Sequence, residues 1–407
     1  MGRAAAVKKT AQSGRRHRAK RSFVGLFIAS EGPYTEQVVQ AIAQYARSHT
    51  QWRIGMAGFG DVDLNDIANG RVAGVIVGPW VDRSALINAV LKAGIPAVDM
   101  AAGAEGSPFP TVLPDDYLVG RCAAEHLLFR GFRNFGFVGL PASFNAYWAD
   151  RRRDGFASAL ESRGMASAVF DRSAEGWTRL HDARNIEELR RWLVRLPKPV
   201  GVLAAFDTLA YELLAQAREC GVVVPHDLAV VGVDNREWIC TLANPTITSI
   251  PLDGHSAGAS AAQVLTKLLA GRKAPTEPVL IAPLPIQSRE STDAFAFSDA
   301  LVVEALRFIR KQAHRPISVE DILDELLVSR RLLEIRFKKA TGRTLQAEIW
   351  RTHLEKARTL LVETSEPISV IIEGSGFRSS AVFNVMFRRA TGLTPTQFRN
   401  QYKRRDR

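Results

Sequence analysis

The stretch Ser329–Thr344, SRRLLEIRFKKATGRT, returns fifty positions later as Ser379–Thr394, SSAVFNVMFRRATGLT. Leu333, Phe337 and Ala340 of the first copy become Phe383, Phe387 and Ala390 of the second. Spacings of four and three put each trio on one helix face. Ser329 and Ser379 stand where N-caps belong, and Gly342 and Gly392 where left-handed C-terminal residues belong. A Pro-Ile-Ser triplet, Pro316–Ser318 and Pro367–Ser369, begins another helical pattern before each copy. The predicted unit is helix, tight turn, helix, occurring twice, at about 316–342 and 367–392. Such a unit offers its second helix to a DNA major groove. A helical repeat packing only on itself would need no basic surface, and this one has it.

Working outward, charge divides the chain. Residues 1–22 carry eight Lys or Arg and no acid, residues 301–407 carry a net +9, and residues 23–300 a net −5. Basic ends around an acidic middle point to a polyanion as the partner of the ends, double-stranded DNA here, and to a different task for the middle. Residues 1–22 lack an apolar period and read as a disordered basic arm. The arm is followed by no apolar h-region, and no apolar run approaches the ~18–20 residues of a membrane span, so a secretory signal and a membrane partner are not expected. Cys122, Cys220 and Cys240 fit neither a disulfide framework nor a zinc site and read as reduced thiols in a cytoplasm.

From Phe23 to about Ile286 short apolar runs alternate with amphipathic helices. Strands are predicted at 23–28, 52–58, 74–77, 96–99, 134–139, 167–170, 200–204, 229–233 and 279–286. Helices lie between them, among them 34–48, 83–93, 116–130, 149–163, 207–219 and 253–270. This alternation marks βαβ units and parallel sheets. Some 270 residues exceed one core, so an α/β sensor of two doubly wound lobes with a cleft between them is expected over 23–290. A linker at 291–299 (STDAFAFSD) then leads to an all-α domain at 300–407, whose first helix spans 299–311.

Ligands of such sheets bind beyond the strand ends. The polar residues there are Ser30, Glu31 and Tyr34, then Trp80, Asp99, the segment 141–148 with Arg152, Asp207, and the pair Asp234-Asn235. Carboxylates, an Arg, an Asn and aromatics suit a neutral polyol: Asp and Asn take hydroxyls, Arg donates to oxygens, and aromatics cover apolar sugar faces. Taken alone, Asp207 and Asp234 would serve equally as helix N-caps.

Both halves together resemble a known family. The terminal repeat is similar to the AraC-type DNA-binding domain through Ile368-Ser369, Gly376-Phe377, Ser379, Phe383, Phe387, Gly392, Thr394-Pro395 and Phe398-Arg399. The middle resembles the LacI-type, periplasmic-binding-protein-like (type I) sensor fold through Ala205-Phe206-Asp207, Val231–Asn235 and Ile247–Ile250. In this order they look like the xylose-operon activators, a subgroup of the AraC family. The resemblance implies a monosaccharide effector such as D-xylose, activation with RNA polymerase as a partner, and a homodimer. It implies sugar contacts at Glu31 or Tyr34, Arg152, Asp207, Asp234 and Asn235. On the DNA side it implies Arg330, Arg331, Glu334 and Ile335 in the first copy, and Ser380, Ala381, Asn384 and Val385 in the second. Many relatives carry Arg at Val385 and Ser or Asn at Ala381. Val and Ala make no bidentate base contacts, which leaves the second helix thymine methyls or phosphate positioning with Arg378, Arg388 and Arg389. Leu327 stands where Gly or a small residue is usual, and Ile372 where Ala is usual.

The competing readings are a repressor, a regulator of another small ligand, and a sugar-acting enzyme. The last lacks a phosphate-cradling Gly loop, a metal-ligand cluster or a nucleophile motif. Gly58-Phe59-Gly60 is too short for a dinucleotide fingerprint, and no cofactor is expected.

Overall fold

The computed structural model describes residues 22–29, 32–79, 83–103, 106–140, 146–170 and 183–402. The basic arm, Ser30, Glu31, Trp80 and residues 141–145 lie outside them.

The chain enters with β1 (Phe23–Phe27), α1 (Pro33–His49), β2 (Arg53–Met56), α2 (Leu64–Ala68), β3 (Gly74–Val77), α3 (Arg83–Ala93), β4 (Ala97–Asp99) and β5 (Val112–Pro114). It continues with α4 (Asp116–Phe129), β6 (Asn134–Val138), α5 (Tyr147–Glu161), β7 (Ser167–Phe170), α6 (Ala183–Arg195), β8 (Val200–Ala204), α7 (Asp207–Glu219), β9 (Leu228–Val233), α8 (Glu237–Leu242) and β10 (Thr248–Ile250). α9 (Gly254–Leu269) and β11 (Val279–Ile281) complete the α/β part. One sheet has the order β2-β1-β3-β4 and the other β10-β9-β8-β6-β7, all pairs parallel. Both reverse strand order beside their first strand, the doubly wound arrangement whose crevice lies at the strands' carboxyl ends. Strands β8 and β9 are apolar and buried along their whole length because helices cover both faces.

The lobes are not consecutive in sequence. After β10 the chain returns to the first lobe, where α9 lies on α1 so closely that a Cβ on Gly258 would sit 2.4 Å from the carbonyl of Val38. β11 then pairs with β5 in a short parallel ladder. The strand expected over 279–286 stops at Ile281, since Pro283 and Pro285 carry no N–H to continue a ladder. β5, α8 and β10 are elements that hydrophobic periodicity did not reveal.

The expected linker is not a loose tether. Ser291 and Thr292 are wholly buried within a 3-10 turn, Glu290–Thr292, and the Ser291 hydroxyl donates to the Val230 carbonyl at 2.7 Å. Ser291 and Thr292 find their partners inside the second lobe, while Asp293 pairs with Arg310 and Asp299 with Arg336 of the helical domain, so the strap is bound at both ends.

Those helices are α10 (Ala300–Lys311), α11 (Val319–Leu326), α12 (Arg330–Thr341), α13 (Leu345–Glu363), α14 (Ile368–Gly374), α15 (Ser380–Thr391) and α16 (Pro395–Tyr402). Leu333 and Phe337 centre one core with α10 and α11, and Phe383 and Phe387 centre the other with α14 and α16. All four are fully buried. Gly342 and Gly392 end their helices at φ 74° and 75°. Ser379 accepts from the Val382 N–H at 3.4 Å, whereas Ser329 occupies the N-cap position without a side-chain cap.

Candidate effector cleft and nucleic-acid interface

Two missing side chains build the cleft. A Cβ on Gly120 of α4 would lie 1.9 Å from the carbonyl of Arg152, and one on Gly155 of α5 would lie 1.9 Å from that of Tyr117. The backbones of α4 and α5 therefore touch, and Arg152 meets the first turn of α4. Its Nε donates to Asp116 at 2.8 Å and its Nη1 to the Ala205 carbonyl at 2.6 Å. Its Nη2 lies 3.9 Å from Asp234. The guanidinium also lies 4.7 Å from the ring centre of Trp148, which packs edge-on to Phe206. A buried cation is thus tied to two carboxylates beside an aromatic wall.

Asp234 and Asn235 leave β9 at φ 94° and 48°, a left-handed excursion that side chains other than Gly seldom adopt. Strain of this kind persists where surrounding bonds over-determine it. Here the Asn235 N–H donates to the Ser249 hydroxyl at 2.9 Å, and Arg289 Nη2 donates to Asn235 Oδ1 at 2.8 Å. Ser249 in turn donates to Asp207 at 2.6 Å, and the other Asp207 oxygen accepts from the Arg236 N–H at 2.6 Å. Asp207 therefore braces the turn after β9 and keeps only its remaining lone pairs for a ligand. Neither aspartate acts as an N-cap: α7 is preceded by Phe206 and α8 by Arg236 at that position.

The first lobe supplies Tyr34, whose buried hydroxyl has no hydrogen-bond partner among the described residues. Burial, reinforced by Asp116 and Asp253, pushes its pKa far up. Burial also raises Asp116 to about 6 against the pull of Arg152, raises Asp207 to about 7 with help from Asp234, and raises Asp234 itself. Dry acceptors around an orphaned hydroxyl suit a ligand that brings several O–H donors and no charge. Arg236 closes against the first lobe, where a Cβ on Gly32 would meet its Nη2 at 2.6 Å.

Of the residues expected from sequence, Tyr34, Arg152, Asp207, Asp234 and Asn235 converge here. Glu31 and Trp80 lie outside the described residues. Asp99 is paired with Arg83 instead. Sequence reasoning passed over Asp116, Arg289 and Arg236. Asp116 stood in plain view as the second of two acids opening a helix, but its partner is 36 residues away.

On the helical domain Arg330, Arg331, Glu334 and Ile335 share the exposed face of α12, and Ser380, Ala381, Asn384 and Val385 that of α15. Arg378 and Arg388 flank the second face and are exposed. Arg330 pairs with Glu320 and, at 3.3 Å, with Glu334. Arg331 has no hydrogen-bond or ion-pair partner among the described residues. α13 joins the two units over 19 residues, about 28 Å at ~1.5 Å per residue.

Two models of periplasmic binding proteins match the α/β part. The one for periplasmic binding proteins and the sugar-binding domain of the LacI family covers residues 23–185, and that for the periplasmic binding protein-like domain covers 124–292. A helix-turn-helix model matches residues 322–401. The xylose operon regulatory protein of Haemophilus influenzae is 30% identical over 384 residues, 92% of this chain and 97% of that protein. Its counterpart in Escherichia coli K12 is 30% identical over 389 residues, 94% and 97% respectively. The chain belongs to the xylose operon regulator family. Among solved structures, that of the xylose-binding transcription activator xylR superposes with a TM-score of 0.59 at 28% identity, covering 95% of this chain and 100% of that one. As a member of this AraC-type family with a LacI-like sensor, the protein is a DNA-binding, sugar-sensing transcription regulator, not an enzyme. No helix among the described residues is long and apolar enough to cross a membrane.

Proposed function

We propose that the protein activates pentose catabolic genes as a homodimer, with D-xylose as its effector and RNA polymerase as the partner of its DNA-bound form. The observation that carries the ligand class is Arg152, buried between Asp116 and Asp234 under Trp148 and close to an orphaned Tyr34 hydroxyl. A polyol satisfies every one of these groups, while an apolar ligand would strand them. The names of the full-length relatives single out xylose among polyols. The sugar contacts are assigned to Glu31, Tyr34, Arg152, Asp207, Asp234 and Asn235. On DNA, Arg330, Arg331, Glu334 and Ile335 read bases in one groove. Ser380, Ala381, Asn384 and Val385 face the next, where Arg378 and Arg388 hold phosphates. The sugar shifts the balance of lobe arrangements by binding one better than the other.

Thermal unfolding across a panel of monosaccharides tests the effector. D-Xylose at a hundred times its Kd stabilises the wild type by about 2.7 kcal/mol. Asp234→Ala abolishes that shift and leaves DNA affinity in place. A panel in which only hexoses stabilise overturns the pentose assignment, and unchanged xylose affinity by calorimetry removes Asp234 from the site.

A further inference from the structure

The sensor and the helical domain meet at the far end of the helix that begins in the cleft. α4 is 14 residues long, about 21 Å at ~1.5 Å per residue. Its first residue, Asp116, holds Arg152. Its last, Phe129, carries the guanidinium of Arg351 at 3.3 Å and that of Arg343 at 4.0 Å from the ring centre. Arg343 lies in the loop leaving α12, and Arg351 on the first turns of α13. Buried Glu348 fixes both arginines, at 3.8 Å and 3.0 Å. Glu355 takes the other end of Arg351 at 2.9 Å. The contact therefore grips the first helix-turn-helix unit at the root of its recognition helix. It borders a groove of about 830 Å³ lined by residues of both domains.

A hydrogen-bonded chain reaches the same place from the turn after β9. Arg289 donates to Asn235 at 2.8 Å through its side chain and to Thr248 Oγ1 at 2.7 Å through its backbone. Thr248 meets Thr292 at 2.9 Å, and Thr292 meets His126 Nε2 at 3.0 Å. Arg130 contacts His126 Nδ1 at 3.1 Å and donates from Nε to the Thr292 carbonyl at 2.7 Å. Its own carbonyl accepts from the Ala296 N–H in the strap at 2.7 Å. His126, Arg130, Thr248 and Thr292 are all buried. Two cleft residues, Asp116 through α4 itself and Asn235 through this chain, are thus both linked to the last turn of α4.

We propose that α4 couples the cleft to the first helix-turn-helix unit. Phe129, clasped by Arg343 and Arg351, is its output contact, and the chain from Asn235 to Arg130 is a second input. Phe129 and His126 are then positioning residues, which touch neither binding site but set how far one site feels the other, and Arg289 links them to the cleft through Asn235. This rests on the cleft being the sugar site. The quantity at stake is a coupling ratio, DNA affinity with effector over DNA affinity without it, typically of the order of 5–150-fold in regulated proteins.

The test uses the full-length protein and an operator duplex selected from a random library by the wild type. Anisotropy gives DNA affinity with and without saturating D-xylose. The wild type changes its affinity at least about 5-fold. Phe129→Leu keeps xylose affinity and sugar-free DNA affinity within about 3-fold, and its coupling ratio falls to near 1. Phe129→Trp, which retains a ring for the guanidiniums, restores the ratio. Full coupling in Phe129→Leu, or loss in Phe129→Trp as well, overturns the clasp. A second arm needs no sugar: Asn235→Ala alters DNA affinity in the wild-type background and leaves it unaltered in Phe129→Leu. An equal effect in both backgrounds, or none in either, overturns the route. A wild type that ignores D-xylose yet passes the second arm sinks the effector assignment while the coupling stands.

Discussion

The two helix-turn-helix units share a core and differ in nearly everything that faces outward. The first is held by the sensor through Phe129 and the strap. It presents Arg330, Arg331 and Glu334, and turns between its helices on Leu327, a residue at φ 52° that is 91% exposed. The second lies beyond α13, further from that clasp. It presents Ser380, Ala381, Asn384 and Val385, and turns on Gly376 at φ 80°. Gly376 is buried against His353 of α13, a ring that burial holds neutral with its pKa down at about 4. The difference teaches that fold and task are written in separate letters. Phe337 and Phe387 ensure that both units fold alike, while the outward positions make the first a reader under control and the second an anchor.

The largest effect that tests this contrast is at the turn of the anchor. An alanine at Gly376 must adopt a left-handed φ with its Cβ 2.6 Å from His353 Nε2 and 2.8 Å from the Arg315 carbonyl. Gly376→Ala should cost about 2–4 kcal/mol by denaturant unfolding, combining left-handed strain with overpacking. Gly392→Ala, with open space around its Cβ, should cost only about 1 kcal/mol. Equal costs would mean that His353 yields and that the second turn is no tighter than its surroundings.

Next comes base reading. Arg331→Ala should weaken operator binding by about 1–3 kcal/mol and relax preference at one base pair, as loss of a guanine contact does. Asn384→Ala should act less sharply on sequence. If a library selection shows all sequences weakened alike by Arg331→Ala, the first unit is an anchor too, and the division between the units fails.

The smallest effect should be a gain. Leu327 is strained and almost wholly in solvent, so replacing it removes a left-handed penalty of ~1–2 kcal/mol and adds back ~0.5–1 kcal/mol of unfolded-state entropy. Leu327→Gly should therefore stabilise the protein by about 0.5–1 kcal/mol, read as a raised denaturation midpoint. A destabilised variant would show that the exposed leucine packs on something when the protein is assembled.

Local patterns carried most of the fold into view. The helix cores of the repeat, its closing glycines and the strand-helix alternation are all short-range signals, and each stands in the structure. The three-residue strand β5 escaped because its partner β11 lies some 165 residues away, and the two become a ladder only once α9 has returned to the first lobe. At the cleft, Arg152, Asp234 and Asn235 were legible as polar residues at strand ends. Asp116 was not, because its meaning depends on two glycines in different helices that let the backbones touch. The bracing work of Asp207 was hidden for a similar reason, since Ser249 and Arg236 reach it only through the turn after β9. Phe129 gave no signal at all: an aromatic on a helix reads as core until the arginines that cover it are known.

Gly120 and Gly155 have a consequence for anyone wishing to retrain the sensor on another sugar. The spacing between α4 and α5 is set by what those positions lack, so the machinery that grips Arg152 has no adjustable part there. Trp148 and Phe206, by contrast, meet the cleft through their side chains. Libraries confined to the aromatic wall would explore new ligands while leaving the α4–α5 frame unchanged, and selection could change what the protein answers to without changing how it replies.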